Sequence, residues 1–71
     1  MALKDKIFSL AKDIIIIDGN TSYVFGDYAV RDNYNDYDYT VGKLSDGVFT
    51  PFADITTEEE FNAFLLLIRN N

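Results

Sequence analysis

The hydrophobic period of this chain changes abruptly after residue 12, and that change constrains the fold more than any other feature. Apolar residues recur at helical spacing from Leu3 to Ile14, which predicts a helix over about residues 2 to 12. Four isoleucines then follow one another at 14–17. Because isoleucine is β-branched and stiff at χ1, this run predicts a strand, and its unbroken apolar character predicts burial on both faces.

Turn residues divide the middle of the chain into further strands. The segments DGNT at 18–21 and SDG at 45–47 carry the Asp, Asn and Gly that tight turns use. Between and after these turns we expect strands at 22–34, 37–44 and 48–53. The last belongs at a sheet edge or ends early, because Pro51 cannot donate a ladder hydrogen bond. Pairing by consecutive hairpins gives a four-stranded antiparallel meander.

The segment DITTEEEF predicts the start of a second helix. Thr56 or Thr57 can cap it, and Glu59 or Glu60 can complete a capping box. Helical spacing of apolar residues continues to Ile68, and two further leucines broaden the apolar surface, so this helix is either deeply seated or shared with another chain. The sequence therefore predicts one α+β domain over 1–71, built as two layers with both helices on one sheet face.

The residue types that most often carry chemistry are missing. The chain has no histidine and no cysteine, which removes the commonest general base, the commonest metal ligand and the thiol nucleophile. We therefore expect no enzyme activity and no cofactor. An EF-hand calcium loop starting at Asp18 or Asp36 lacks the required glycine and glutamate, although an irregular, weak cation site stays open as an alternative.

Charge is unevenly distributed along the chain. The net charge is -6, and between residues 13 and 60 only Arg31 and Lys43 offset the acids, while three lysines lie in the first helix. Free nucleic acid needs clustered cations, so a basic or nucleic-acid-binding protein is the expected partner instead. The mixed N-terminus lacks a signal-peptide pattern and no apolar run spans a membrane, which predicts a cytoplasmic protein, in the host cytoplasm if phage-encoded.

The segment RDNYNDYDYT at 31–40 concentrates tyrosines and acids. In a strand over 37–44 the tyrosines would face the core and the aspartates would face out. In a strand over 22–34, however, one aromatic set must face outward unless a bulge at Gly26 changes the register. If the side of this strand that carries the charged residues is the open one, the exposed sheet face has an aromatic centre and an acidic surround. The predicted partner-binding residues are Tyr23, Phe25, Asp27, Asp32, Tyr34, Asp36 and Asp38.

These observations favour a small acidic protein-binding module that docks on a basic partner. By analogy of size and acidity with small phage-encoded inhibitors, it would be an inhibitor of a nuclease or a defence complex. A sharper version is a mimic of duplex DNA, because carboxylates on one strand face repeat every ~6.7 Å, a length scale similar to that of backbone phosphates. The alternative is a structural homo-oligomer, such as a homodimer, whose acidic surface has no specific ligand and which buries FLLLI at 64–68 or a sheet face.

Overall fold

The computed structural model describes residues 2–34 and 38–69 and has an α+β architecture. Within these residues two helices flank a five-stranded antiparallel meander, whose strands follow one another in space as they do in sequence. The predicted N-terminal helix, meander and C-terminal helix are confirmed, but the predicted number of strands is wrong. The elements are α1 (Ala2–Leu10), β1 (Asp13–Ile17), β2 (Asn20–Phe25), β3 (Tyr28–Asp32), β4 (Tyr39–Ser45), β5 (Val48–Ile55) and α2 (Glu58–Arg69).

The additional strand arises because the predicted strand over 22–34 is a hairpin. Strands β2 and β3 are joined by a two-residue turn at Gly26 and Asp27, and Phe25 pairs with Tyr28 across it. Gly26 has φ = 72°, a conformation that glycine adopts without the steric penalty of a Cβ. The sequence leaves a bulge at Gly26 open as an alternative to a continuous strand, whereas in the structure Gly26 is the first residue of a turn.

The two other tight turns agree with the sequence. Asp18 and Gly19 connect β1 to β2, and Asp46 and Gly47 connect β4 to β5, with positive φ at all four residues. This geometry is that of type I′ turns, whose twist matches the twist of the strands they join. Strand β4 begins at Tyr39 rather than at the predicted residue 37, and Tyr37 itself lies outside the described residues.

One face of the sheet, called the core face below, forms the hydrophobic core. Tyr23, Val30 and Val41 lie side by side on β2, β3 and β4, and all are buried. Other members of the same core cluster come from both helices and from β2, β4 and β5, and they are Ile7, Phe25, Tyr39, Ile55, Phe61 and Phe64. The radius of gyration is 10.9 Å, close to the ~11 Å expected for a compact chain of this length.

The two helices contact each other directly. Lys6 Nζ donates to Oδ1 of Asn62 at 2.6 Å and lies 4.0 Å from Oε1 of Glu58. The rings of Phe61 and Phe64 stack with their centroids 6.3 Å apart, and Phe61 meets Phe25 of the sheet edge to face at 5.7 Å. Aromatic packing therefore joins α2 to the core face of β2.

Helix α2 begins with a capping box formed by Thr57 and Glu60. The Glu60 amide donates to Thr57 Oγ1 at 3.1 Å, and the Glu60 carboxylate accepts from the amides of Thr56 and Thr57 at 2.7 and 3.2 Å. These bonds satisfy amides that have no partner inside the helix. The predicted capping motif is confirmed, with Thr57 as the capping residue and Glu60 as its partner.

Strands β1 and β5 form the two edges of the sheet. The position of Pro51 in an edge strand is as predicted. The expected burial of β1 on both faces is wrong, because the side chains of Ile14 and Ile16 are 43% and 66% exposed. An edge strand has a neighbour on one side only, so its outer side chains are less covered than those of a central strand.

Candidate protein-binding surface

The structure places two predicted binding residues inside the protein. Tyr23 and Phe25 are both buried in the core cluster, so the expectation that their rings lie on an open face is wrong. The turn at Gly26 reverses the chain, which puts odd positions of β2 and even positions of β3 on the same side of the sheet. Both aromatic sets can therefore face the core, and neither has to be exposed.

Asp32 is also buried, and it acts within the fold. Its Oδ1 accepts from the Tyr34 amide at 2.7 Å, and its Oδ2 lies 3.9 Å from Lys4 Nζ. Burial raises the pKa of the Tyr23 hydroxyl above its ordinary value of 10.0, and the negative charge of Asp32 raises that pKa further. Asp32 therefore anchors the start of the β3–β4 connection and lies too deep for contact with a partner.

The remaining predicted acids do not form a single patch. Asp27 is exposed in the β2–β3 turn, at one end of the sheet. Asp38 is half-buried at the other end, where it accepts from Asn33 Nδ2 at 3.4 Å. Asp36 lies outside the described residues. The structure thus brings Asp32, Tyr34 and Asp38 to one end of the sheet and leaves Asp27 at the opposite end.

Tyr34 is the predicted aromatic binding residue that the structure exposes. Its side chain is 62% exposed, yet its hydroxyl donates to the Gly19 carbonyl at 3.0 Å and accepts from the Thr21 amide at 3.0 Å. Its backbone has φ = 60°, an unfavourable conformation for a bulky residue. These contacts hold an exposed aromatic ring in one position between the β1–β2 turn and the β3–β4 connection.

Acidic side chains surround this end of the sheet. In a meander, alternate connections lie at the same end, so the β1–β2 turn, the β3–β4 connection and the β5–α2 junction are neighbours. Together with the ring of Tyr34, the carboxylates at these connections define what we call the acidic end. Its acidic residues are Asp18, Asp38, Asp54, Glu58, Glu59 and Glu60.

The opposite end of the sheet has no such excess among the described residues. There the acids Asp13, Asp27 and Asp46 are equal in number to the cations Lys12, Lys43 and Arg69. At the acidic end, two of the nearby cations, Lys4 and Lys6, already lie within 4.0 Å of Asp32 and Glu58. The net negative charge of the protein is therefore concentrated at one end.

Sequence reasoning missed most of this surface. Asp18, Asp54 and the three glutamates of α2 are distant in sequence from the segment 31–40, and only the strand connectivity brings them together. The hairpin pattern of the sequence could have revealed this grouping, because successive turns of a meander lie at alternate ends of the sheet. Such a prediction requires the correct number of strands, because one missing strand moves every later turn to the opposite end of the sheet.

The sheet face opposite the core is not the acidic, aromatic face that the sequence suggested. The Arg31 guanidinium lies over the Phe49 ring, 5.5 Å from its centroid, an arrangement typical of a cation–π contact. Thr40 Oγ1 donates to Asp54 at 2.9 Å on the same face. This face combines a cation, an aromatic ring and the carboxylate of Asp54, so it is not the predicted face on which acids surround Tyr23 and Phe25.

Within 2–34 and 38–69, no group of three or more acidic side chains is placed to hold a metal ion. A groove of about 410 Å³ lies between β5 and α2, and its lining is mostly apolar, including Phe52, Phe64 and Leu67. In the same part of the chain, neither helix is long and apolar enough to cross a membrane.

No protein-family model, curated protein or solved structure shows significant similarity to this chain.

Proposed function

We propose that this protein is a non-enzymatic binding module that docks its acidic end on a basic partner protein. The observation that carries the proposal is the exposed ring of Tyr34, held by its hydroxyl contacts to Gly19 and Thr21 within a surface rich in carboxylates. Charge steers the encounter between oppositely charged surfaces, and a central aromatic residue supplies much of the binding energy.

The proposal uses a two-layer arrangement in which both helices cover the core face. The shared core of Ile7, Phe61 and Tyr23 supports this arrangement. In it, α2 begins at the same end of the sheet as the Tyr34 segment, so its three N-terminal glutamates join the acidic end. The sheet and both helices then form a rigid support for the binding surface.

The fixed position of Tyr34 favours binding because the ring is ordered before the partner arrives. Ordering a mobile side chain at an interface costs about 0.5–1.5 kcal/mol. Two hydroxyl contacts and the bond from its own amide to Asp32 already hold Tyr34, so most of this entropy is lost on folding rather than on binding. The unfavourable φ of Tyr34 is consistent with a local conformation retained for contact.

The sharper form of the proposal is an inhibitor that mimics nucleic acid. A nucleic-acid-binding partner presents clustered lysine and arginine side chains to backbone phosphates. The acidic end would occupy that basic surface with carboxylates in place of phosphates, and duplex DNA would compete for it. Ordinary docking on a basic protein does not require this competition, so the two forms can be separated.

The test compares variants that remove equal charge from the two ends. The Asp38→Asn, Asp54→Asn variant removes two negative charges from the acidic end, and the Asp27→Asn, Asp46→Asn variant is the control that removes two from the opposite end. Asparagine suits this control because it tolerates turn conformations. Each tagged protein is used to capture partners from lysate of the cells that make it, and affinity for the captured protein is then measured with purified components.

We expect one basic protein to bind the wild type and the control with similar affinity. Removing two charges from the acidic end should weaken that binding, and Tyr34→Ala should weaken it by about 2 kcal/mol or more, as for a central interface aromatic. Displacement by duplex DNA would support the mimic. Equal affinity of all variants, or equal loss in the two charge variants, would contradict docking through the acidic end.

A second candidate function is a structural homo-oligomer whose acidic surface provides only solubility. Helix α2 favours it, because Leu66 is 57% exposed and Leu67 is also exposed next to the apolar groove. Leu66→Asp should then convert the oligomer to a monomer in a mass measurement. An unchanged mass would count against this helix as the interface.

A further inference from the structure

The two edges of the sheet differ in how open they are to pairing. Strand β5 contains Pro51, and its pairing with β4 shifts register between Val41 and Gly42 of β4. Both features discourage pairing of this edge with another chain. Strand β1, with the sequence DIIII, contains neither a proline nor a lysine, two residues that discourage pairing at a sheet edge. The sheet therefore has one protected edge and one edge suited to strand addition.

The backbone groups of Ile14 and Ile16 point away from β2. The Ile14 amide donates to Oδ1 of Asp13 at 2.8 Å, although Ile14 lies opposite Tyr23 in the ladder. Residues of an antiparallel strand alternate between inward and outward hydrogen bonding, so Ile16 has the same orientation as Ile14. Their N–H and C=O groups are thus directed outward along the edge of the sheet.

Exposed apolar side chains lie along the β1 edge. Ile14 and Ile16 are substantially exposed, and Phe8 of α1 is exposed as well. The Phe8 ring meets Tyr23 edge to face at 6.4 Å, and Tyr23 pairs with Ile14. Phe8 therefore lies on the same side of the sheet as Ile14 and Ile16, and the three side chains line the edge with apolar surface.

We propose that β1 pairs antiparallel with β1 of a second copy of this chain, giving a continuous sheet across a twofold axis. With Ile14 opposite Ile16 of the second copy, the outward groups of each strand meet those of the other in hydrogen-bonded pairs. The interface is isologous, because the same patch serves both copies. This edge-paired dimer is independent of docking through the acidic end.

Charge complementarity favours a second copy over an unrelated strand. The register that places Ile14 opposite Ile16 also places Lys12 opposite Asp18 of the second copy, once at each end of the pair. An antiparallel arrangement sets the acidic end of one copy beside the charge-balanced end of the other, so like charges are separated. A parallel arrangement would bring the two acidic ends together.

Asp13 competes with this pairing, so a substitution that removes its carboxylate should strengthen the dimer. Its carboxylate accepts from the Ile14 amide, the group that would bond the second copy. Asp13→Ala removes this competitor, so we expect the dimer to become several-fold tighter.

The main experiment is sedimentation equilibrium over a wide concentration range at low salt. We expect the mass of the wild type to rise from 8.1 kDa toward twice that value. Ile16→Pro removes an N–H that points away from β2, together with an exposed side chain of the edge, so it should stay monomeric while keeping the circular dichroism spectrum of the wild type. Ile16→Lys should also stay monomeric, whereas Val48→Lys, at an equally exposed position on β5, should associate like the wild type.

Hydrogen exchange of the wild type provides a measurement that needs no variant. The amides of Ile14 and Ile16 should exchange more slowly as the protein concentration rises. A mass of 8.1 kDa at every concentration would overturn the proposal, as would a monomeric Leu66→Asp beside a dimeric Ile16→Pro. Protection of β1 only when a different protein is added would mean that the edge binds a foreign strand, which also overturns it.

The acidic end can fail as a binding surface without affecting this result. The Asp38→Asn, Asp54→Asn variant should retain the dimer of the wild type. If that variant were monomeric, the acidic end rather than β1 would join the copies, and the edge-paired dimer would be wrong.

Discussion

Gly42 is a residue at which small size, rather than backbone conformation, is required. A Cβ at this position would collide with the Thr50 carbonyl oxygen and would lie 2.8 Å from Cε1 of Phe49. The Phe49 ring therefore rests on the bare backbone of β4, from where it reaches the Arg31 guanidinium. Glycine inside a strand usually weakens the strand, but at this position the missing Cβ leaves room for a side chain of the neighbouring strand.

We expect Gly42→Ala to destabilise the protein by about 1–3 kcal/mol, because the added methyl group must displace backbone or the Phe49 ring. Urea unfolding monitored by circular dichroism measures this change. Lys43→Ala, at the exposed next position of β4, is the control and should change stability by less than about 0.5 kcal/mol. Equal effects of the two substitutions would show that the close approach at Gly42 has no energetic importance.

At the scale of a single element, the start of α2 makes the stability of the protein depend on pH. Hydrogen bonds from Thr56 and then from Thr57 lower the pKa of Glu60 below its ordinary value of 4.5. The unfolded chain therefore binds this proton more readily than the folded one. The stabilisation is fully present above the unfolded pKa and is lost as the pH falls through the folded pKa.

We accordingly expect the wild type to lose stability below about pH 4.5 more steeply than Glu60→Gln, in which the titrating carboxylate is absent. Urea unfolding at a series of pH values measures both slopes. Glu59→Gln removes the same charge from the same helix turn without touching the capping box, so it should keep the steeper slope. Identical slopes for Glu60→Gln and the wild type would rule out the capping carboxylate as the source.

The same elements explain how much of the fold the sequence predicts. The capping box at Thr57 and the apolar period of α2 are local patterns, so they were predictable residue by residue. The division of residues 22–34 into two strands was not, because Gly26 inside an apolar run is compatible with a bulge or a turn. The wrong expectation that Tyr23 and Phe25 lie on an open face follows from that one ambiguity.

The candidate site depends still more on three-dimensional arrangement. Tyr34 is among the predicted partner-binding residues, but its positive φ and its hydroxyl bond to Gly19 depend on contacts between distant segments. The grouping of Asp18, Asp54 and the glutamates of α2 requires the order of the strands. Such features cannot be read from local periodicity, because they depend on which turns share an end of the sheet.

For the whole molecule, the separation of charge predicts a response to salt. Carboxylates crowded at the acidic end repel one another, and this repulsion opposes the compact state. Added sodium chloride screens exposed charges, so we expect the urea midpoint to rise with salt. The exposed ion pair of Lys6 and Glu58 is weakened at the same time, but exposed pairs contribute little.

Differences between charge variants locate the source of this response. The Asp38→Asn, Asp54→Asn variant should show a smaller rise of the urea midpoint with salt than the Asp27→Asn, Asp46→Asn variant. Both variants carry the same net charge, so a difference between them reports where the repulsion acts. Equal responses would mean that net charge alone, and not its concentration at one end, governs the effect.

The meander also sets the order in which the chain can assemble. Each strand pairs with the next one in sequence. The β1–β2, β2–β3 and β4–β5 hairpins each close a loop of two residues, and such hairpins can form in roughly 1–10 μs. The contact between Lys6 and Asn62 joins positions 56 residues apart, and closing so long a loop has a larger entropic cost. We therefore expect docking of α1 against α2 to be a late step of folding, after the sheet has formed.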